Sequence, residues 1–237
     1  KGFFTATFAY VGDNGAAGVI KNTSAIVGLA YALPLNENGL YLAAGFQTGI
    51  NSLNINFDGK TVPEQYTQYG LIPDMPNNDP ANAYNAPIRW VDLNSGLSLF
   101  KNGEKANWYL GASARHLNKP YTNISKTALY QLGVNYGVQA GYSINLASKD
   151  VLGAYAFLNW QSKANDYTIG VKYQKNFGTN TSLSVGVASR TGAAIIPRFD
   201  LRYNKVAVGV SFESTTGKMK TDNLNRNATE VVLGFIL

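Results

Sequence analysis

The chain contains no cysteine. Disulfides and thiolate metal sites are excluded, and a chain made without thiols suits an oxidising compartment such as a bacterial envelope. Histidine is nearly as scarce, with His116 alone. A transition-metal site would have to rest on carboxylates, and a serine–histidine–acid hydrolase would need His116 as its base. Ser113 is close in sequence, but strand parity puts it on the opposite face from His116. No run of 18 apolar residues exists, so no helix of the transmembrane kind is present. Charge is sparse too: 14% of residues, against about 25% in an average globular chain. No glycine-rich phosphate or dinucleotide motif follows a strand and opens a helix. Catalytic, metal and cofactor sites are therefore assigned to no residue. The net charge is +6, which raises nucleic-acid binding. The lysines are scattered, however, with Lys60, Lys105, Lys119 and Lys149 single in turns, so no nucleic-acid partner is expected.

What is present is alternation. From Gln131 to Leu146 every second residue is apolar: Leu132, Val134, Tyr136, Val138, Ala140, Tyr142, Ile144 and Leu146. Their neighbours are polar or glycine throughout. A period of two means a strand with one greasy and one wet face. Globular strands end after about five or six residues. The length here suits a tilted strand crossing a bilayer. The 24 glycines, 15 tyrosines and 11 phenylalanines fit a narrow interior and aromatic girdles at the membrane interfaces.

Twelve strands can be read along the chain. They start at Phe3–Val11, with Gly12 to Gly15 as a turn, and end at about Thr229 to Leu237. Residues 56–88 break the pattern with Pro63, Pro73, Pro76, Pro80 and Pro87, and are expected to form one long loop. Connections 36–38, 102–105, 147–149, 176–181 and 204–205 are short, whereas 12–23, 56–88, 119–130 and 215–228 are longer. Residues 162–164 and 191–195 are short on the long side. This asymmetry predicts an outer-membrane barrel with its long loops extracellular and its C-terminus periplasmic. An open edge cannot persist in lipid, so the strands must close among themselves or with others.

The wet set carries Asp92, Arg115, Lys172, Arg198, Asp200, Arg202, Glu213 and Glu230. A charge facing lipid at mid-bilayer costs about 2–4 kcal/mol, so these residues should face the lumen or the rim. Mixed signs allow pairing across a narrow interior and favour a filled barrel over an open pore. Trp108, Tyr142, Trp160, Tyr167, Tyr173 and Tyr203 should face lipid near the strand ends.

Residues 89–120, RWVDLNSGLSLFKNGEKANWYLGASARHLNKP, resemble the PorP/SprF family of type IX secretion membrane proteins of Bacteroidota. The matching signature positions are Asp92, Gly96, Leu97, Tyr109, Gly111, Ser113, His116, Leu117, Asn118, Lys119 and Pro120. The stretches AYALPLNENGLYLAAGFQTGINSLNINF, IIPRFDLRYNKVAVGVSFE and RNATEVVLGFIL agree more weakly. The resemblance implies a single transmembrane antiparallel β-barrel domain over residues 1–237. Family members carry a further N-terminal segment of about two strands, so the complete protein would have fourteen. It also implies a non-enzymatic, cofactor-free role in gliding or secretion, exporting or anchoring an adhesin-like protein with a type IX C-terminal domain. Partners would be outer-membrane lipid, that secreted protein and other secretion components. The signature has no assigned role; Pro120 is expected to end a strand, with Asn118 and Lys119 shaping the loop entry. A channel or small-solute transporter is the alternative, and a barrel enzyme using His116 a third reading.

Overall fold

The structure is a computed structural model that describes residues 1–15, 19–56, 65–72, 75, 87–125, 128–191, 194–216 and 227–235. Sixteen strands are present among the described residues: β1 (Phe3–Gly15), β2 (Ile20–Pro34), β3 (Leu40–Ile55), β4 (Tyr66–Thr67), β5 (Gly70–Leu71), β6 (Ile88–Asn102), β7 (Ala106–Arg115), β8 (Tyr121–Ser125), β9 (Ala128–Gln131), β10 (Asn135–Asn145), β11 (Val151–Gln161), β12 (Ala164–Phe177), β13 (Thr181–Arg190), β14 (Ala194–Tyr203), β15 (Val206–Thr215) and β16 (Asn227–Phe235). Twelve of them form one antiparallel sheet in the order β1-β2-β3-β6-β7-β10-β11-β12-β13-β14-β15-β16. The pairs β4–β5 and β8–β9 are separate hairpins inside two of the connections. No described helix is long and apolar enough to cross a membrane.

The pairing register turns the alternation of each strand into two continuous faces. Gly45, Gly96, Ser113, Gly137 and Asn159 lie side by side across β3, β6, β7, β10 and β11. One residue earlier or later, Ala44, Leu97, Ala112, Val138 and Leu158 line up on the other side. A one-residue slip would exchange the faces, so the pattern pins the register.

Burial is inverted relative to a water-soluble sandwich. Leu97, Ile169 and Phe4 are 60%, 61% and 81% exposed. Among the described residues the buried apolar side chains are three alanines, Ala32, Ala188 and Ala194. The buried polar ones include Asp92, Asn94, Ser184 and Ser211. The greasy faces therefore do not meet each other in a core. About 25 cal/mol per Å² is gained when such surface leaves water, and a lipid phase provides that for the whole apolar face at once.

The twelve expected strands are present as one antiparallel sheet, which is not closed on itself among the described residues: β1 is paired with β2 and β16 with β15, and the sheet between them is open. Three expectations need correction. Gln131–Leu146 is not one strand. Gln131 ends β9, residues 132–134 are irregular, and β10 begins at Asn135. Alternation carried through a break because the residues on either side happen to keep parity. Gly12–Gly15 is not a turn but the end of β1, paired with Ile20–Thr23. There β2 is in turn held by Ser52–Ile55 of β3, so sheet pairing outweighs local turn preference. Residues 56–88 are not structureless, since they contain β4 and β5. Within them 57–64, 73–74 and 76–86 lie outside the described residues.

Candidate functional site

Apart from Leu97, which lies on the apolar face of β6, the signature residues fall in two places, a rim turn and the polar face of the sheet. The first is the rim where β7 ends. Beyond Arg115 the chain turns at His116 (φ 57°) and Lys119 (φ 44°). Left-handed backbone is costly for residues with a Cβ and needs surrounding contacts to hold it. Four hydrogen bonds to β6 do so. Leu117 N donates to Leu93 O at 2.9 Å. Leu93 N donates to Asn118 Oδ1 at 3.2 Å, and Asn118 Nδ2 donates to Val91 O at 2.7 Å. His116 N donates to Asn94 Oδ1 at 3.1 Å. The side-chain amide of Asn118 thus stands in for a peptide group and extends pairing with β6 beyond the point where the β7 backbone leaves it.

The same turn carries His116 to the polar face. Strand parity placed it opposite Ser113, but the positive φ swings its ring back over β6. Its Nδ1 lies 2.8 Å from Asp92 Oδ1. The other carboxylate oxygen of Asp92 accepts from Asn51 Nδ2 at 2.8 Å, and Asn51 Oδ1 accepts from Ser24 Oγ at 2.5 Å. This line of polar groups ties β2, β3 and β6 to the turn. The Asp92 and His116 side chains are only 10% and 20% exposed. Past the turn, Lys119 N donates to His116 O, and Leu132 N donates to Pro120 O at 3.0 Å. The β8–β9 hairpin is thereby gathered at its base, with β8 packed beside β6. The Ser24 hydroxyl is separated from His116 by Asn51 and Asp92, so this line positions a loop and offers no serine nucleophile to the imidazole.

The second place is the wall itself. Gly96, Tyr109, Gly111 and Ser113 share the polar face of β6 and β7, away from the rim turn. The charged residues form two groups further along. Arg198 Nε lies 2.8 Å and Lys172 Nζ 3.8 Å from the Asp200 carboxylate. Arg190 bridges Glu213 at 2.7 Å and Asp166 at 3.5 Å. Glu230 accepts from Ser211 Oγ at 3.2 Å, Arg115 Nη2 donates to Asn135 Oδ1 at 3.2 Å, and Arg202 Nε donates to Asn204 O at 3.4 Å. Arg190 and Asp166 were absent from the charges expected there. Carrying the β13 alternation of Ser184, Gly186 and Ala188 one step further would have found Arg190. Among the described residues no three His, Cys, Asp or Glu side chains converge as metal ligands would.

On the opposite rim Asp150 organises a short connection. Its carboxylate accepts from Tyr173 Oη at 2.7 Å, Ser148 Oγ at 2.9 Å and Asn176 N at 3.2 Å. The Tyr173 bond foremost, with the Asn176 amide behind it, holds the carboxyl below the ordinary carboxylate range.

In comparison with known proteins, the family model described as type IX secretion system membrane protein PorP/SprF matches residues 13–235. No curated protein matches the chain.

Proposed function

Because this chain belongs to the PorP/SprF family of type IX secretion system membrane proteins, we propose that it is a non-enzymatic outer-membrane barrel that helps export, or anchors, a secreted surface protein. The observation that carries this reading is the family match over nearly the whole chain. The exposed apolar face agrees with it, since a lipid surround stabilises a face of that kind. In this reading further strands pair with the free edges of β1 and β16 and complete a cylinder, because unpaired backbone in hydrocarbon costs several kcal/mol per group. The polar face then lines the interior. The partner is a protein bearing a type IX C-terminal domain, engaged at the end with the longer connections, which faces outward. The rim turn at His116–Pro120 presents the β8–β9 hairpin at that end.

Co-purification in mild detergent, with bound proteins identified by mass, tests the reading. A secreted protein with a type IX C-terminal domain should come down with the chain, and its surface level should fall when the chain is deleted. Unchanged surface proteins, together with steady large-conductance openings in planar bilayers, would instead establish a diffusion channel.

A further inference from the structure

Three glycines on the polar face each lie beneath a neighbour's side chain. A Cβ at Gly141 would strike the Tyr109 ring, and one at Gly170 the Tyr155 ring. At Gly209 it would strike the Asp200 carboxylate and crowd Arg198. Each glycine removes its own side chain, and the group on the next strand lies down on the backbone in that space. The two tyrosines are half-buried, and the Tyr155 ring also meets the Phe157 ring edge to face, with centroids 5.6 Å apart.

Above those groups the wall stays open. Two adjoining clefts of about 430 and 330 Å³ lie over it, and Tyr109, Tyr155 and Lys172 line both. Clefts of this size suit a small ligand or one unit of a chain. Arg198 and Asp200 join the smaller one. There two cations share one carboxylate, and their side chains remain 43% (Lys172) and 41% (Arg198) exposed. Glu230, beyond β15, is engaged by Ser211 and lines neither cleft.

The geometry points to a binding site for an acidic sugar on this wall, a pyranose ring stacked on Tyr109 or Tyr155 with its carboxylate against Lys172 and Arg198. The positive surplus repels cations and favours an anion by charge-assisted hydrogen bonding. The half-buried tyrosine rings lining both clefts suit the C–H face of a sugar. An extended peptide is less well served. Strands β7 and β10 to β14 are each paired on both sides, so the wall has no free backbone to satisfy a peptide's amides. A sugar needs none, since its hydroxyls can bond to water and to the tyrosine hydroxyls. The site is distinct from the rim turn and does not depend on the export reading.

The test is calorimetric titration of the full chain in detergent with glucuronate, a uronate tetrasaccharide, glucose and the dipeptide Asp-Phe. Heat-modifiable gel migration verifies that each variant is folded. Glucuronate or the tetrasaccharide should bind and glucose should bind far more weakly. Binding by both uronates indicates a free sugar acid as ligand, and binding by the tetrasaccharide alone an acidic polysaccharide. Lys172→Gln and Tyr155→Ala should each weaken binding about tenfold or more, whereas Tyr155→Phe, which keeps the ring, should retain most of it. Gly170→Val, which lifts the Tyr155 ring off the wall, should also weaken it. The proposal is overturned if neither uronate binds at millimolar concentration. It is equally overturned if the folded Lys172→Gln chain binds as wild type, or if Asp-Phe binds and the uronates do not.

Discussion

His116 and Asp92 are 24 positions apart in sequence and meet at 2.8 Å, Nδ1 to Oδ1, across the end of β6. The contact exists because the backbone of His116 is left-handed. Removing either partner strands the other in a mostly buried setting. His116→Ala or Asp92→Ala should therefore destabilise the rim by about 1–3 kcal/mol, the usual penalty for a hydrogen bond to a charged group left half-made. Limited proteolysis reads this directly. Cleavage within residues 121–131 should accelerate in both variants while the twelve-stranded sheet stays resistant. Equal rates in wild type and variants would show that the pair does not hold the hairpin.

Asn118 offers a sharper comparison, since its amide accepts from Leu93 N and donates to Val91 O. Asn118→Asp keeps the acceptor and loses the donor, whereas Asn118→Ala loses both. Hydrogen exchange at the Leu93 amide should speed up in Asn118→Ala and remain slow in Asn118→Asp. The same slow exchange in both variants would mean that the side chain is not part of the sheet pairing.

The two faces were legible in the sequence because strand parity needs only local information. Leu97 and Ser98, or Val185 and Ser184, fall where alternation puts them. Parity failed at His116, where one positive φ reverses the side chain. Nothing in a His-Leu-Asn-Lys-Pro string announces that sign. It failed again at residues 132–134, where an irregular step preserves the alternation of Leu132 and Val134 although the strand has stopped. Gly12–Gly15 misled in the other direction, since a turn-like composition was overridden by pairing with β2. The ion pairs of Arg190 with Asp166 and Glu213 are long-range. Alternation can place such residues on a face but cannot say which of them meet.

Asp150 should make the short connection at residues 146–150 sensitive to acid. Hydrogen bonds from Tyr173, Asn176 and Ser148 lower its carboxyl in the folded chain relative to the unfolded one. A lowered group contributes stability that is fully present above the unfolded carboxylate value. That stability is lost as pH falls through the folded value. The protection of the amides of Asn176 and its neighbours, taken relative to their intrinsic exchange rates at each pH, should therefore fall as the medium is acidified below the ordinary carboxylate range. Asp150→Asn should abolish that dependence and leave the protection flat with pH. A wild-type profile equally flat would show that the carboxylate does not anchor the connection.

Leu97 tests the orientation of the whole sheet. It lies on the apolar face of β6, between Ala44 of β3 and Ala112 of β7, and is 60% exposed. Its neighbour Ser98 is on the polar face, beside Ala43 and Gly111. If the apolar face meets hydrocarbon, Leu97→Arg should cost about 2–4 kcal/mol near the midplane and less towards an interface. The measurement is reversible folding into lipid vesicles followed by denaturant titration. Ser98→Arg should be much milder, because its side chain is on the face turned away from the hydrocarbon and lines an open cleft. In detergent-free buffer the order would reverse, since there Leu97→Arg relieves an exposed greasy patch and improves solubility. A larger penalty at Ser98 than at Leu97 in vesicles would put the wrong face towards the lipid.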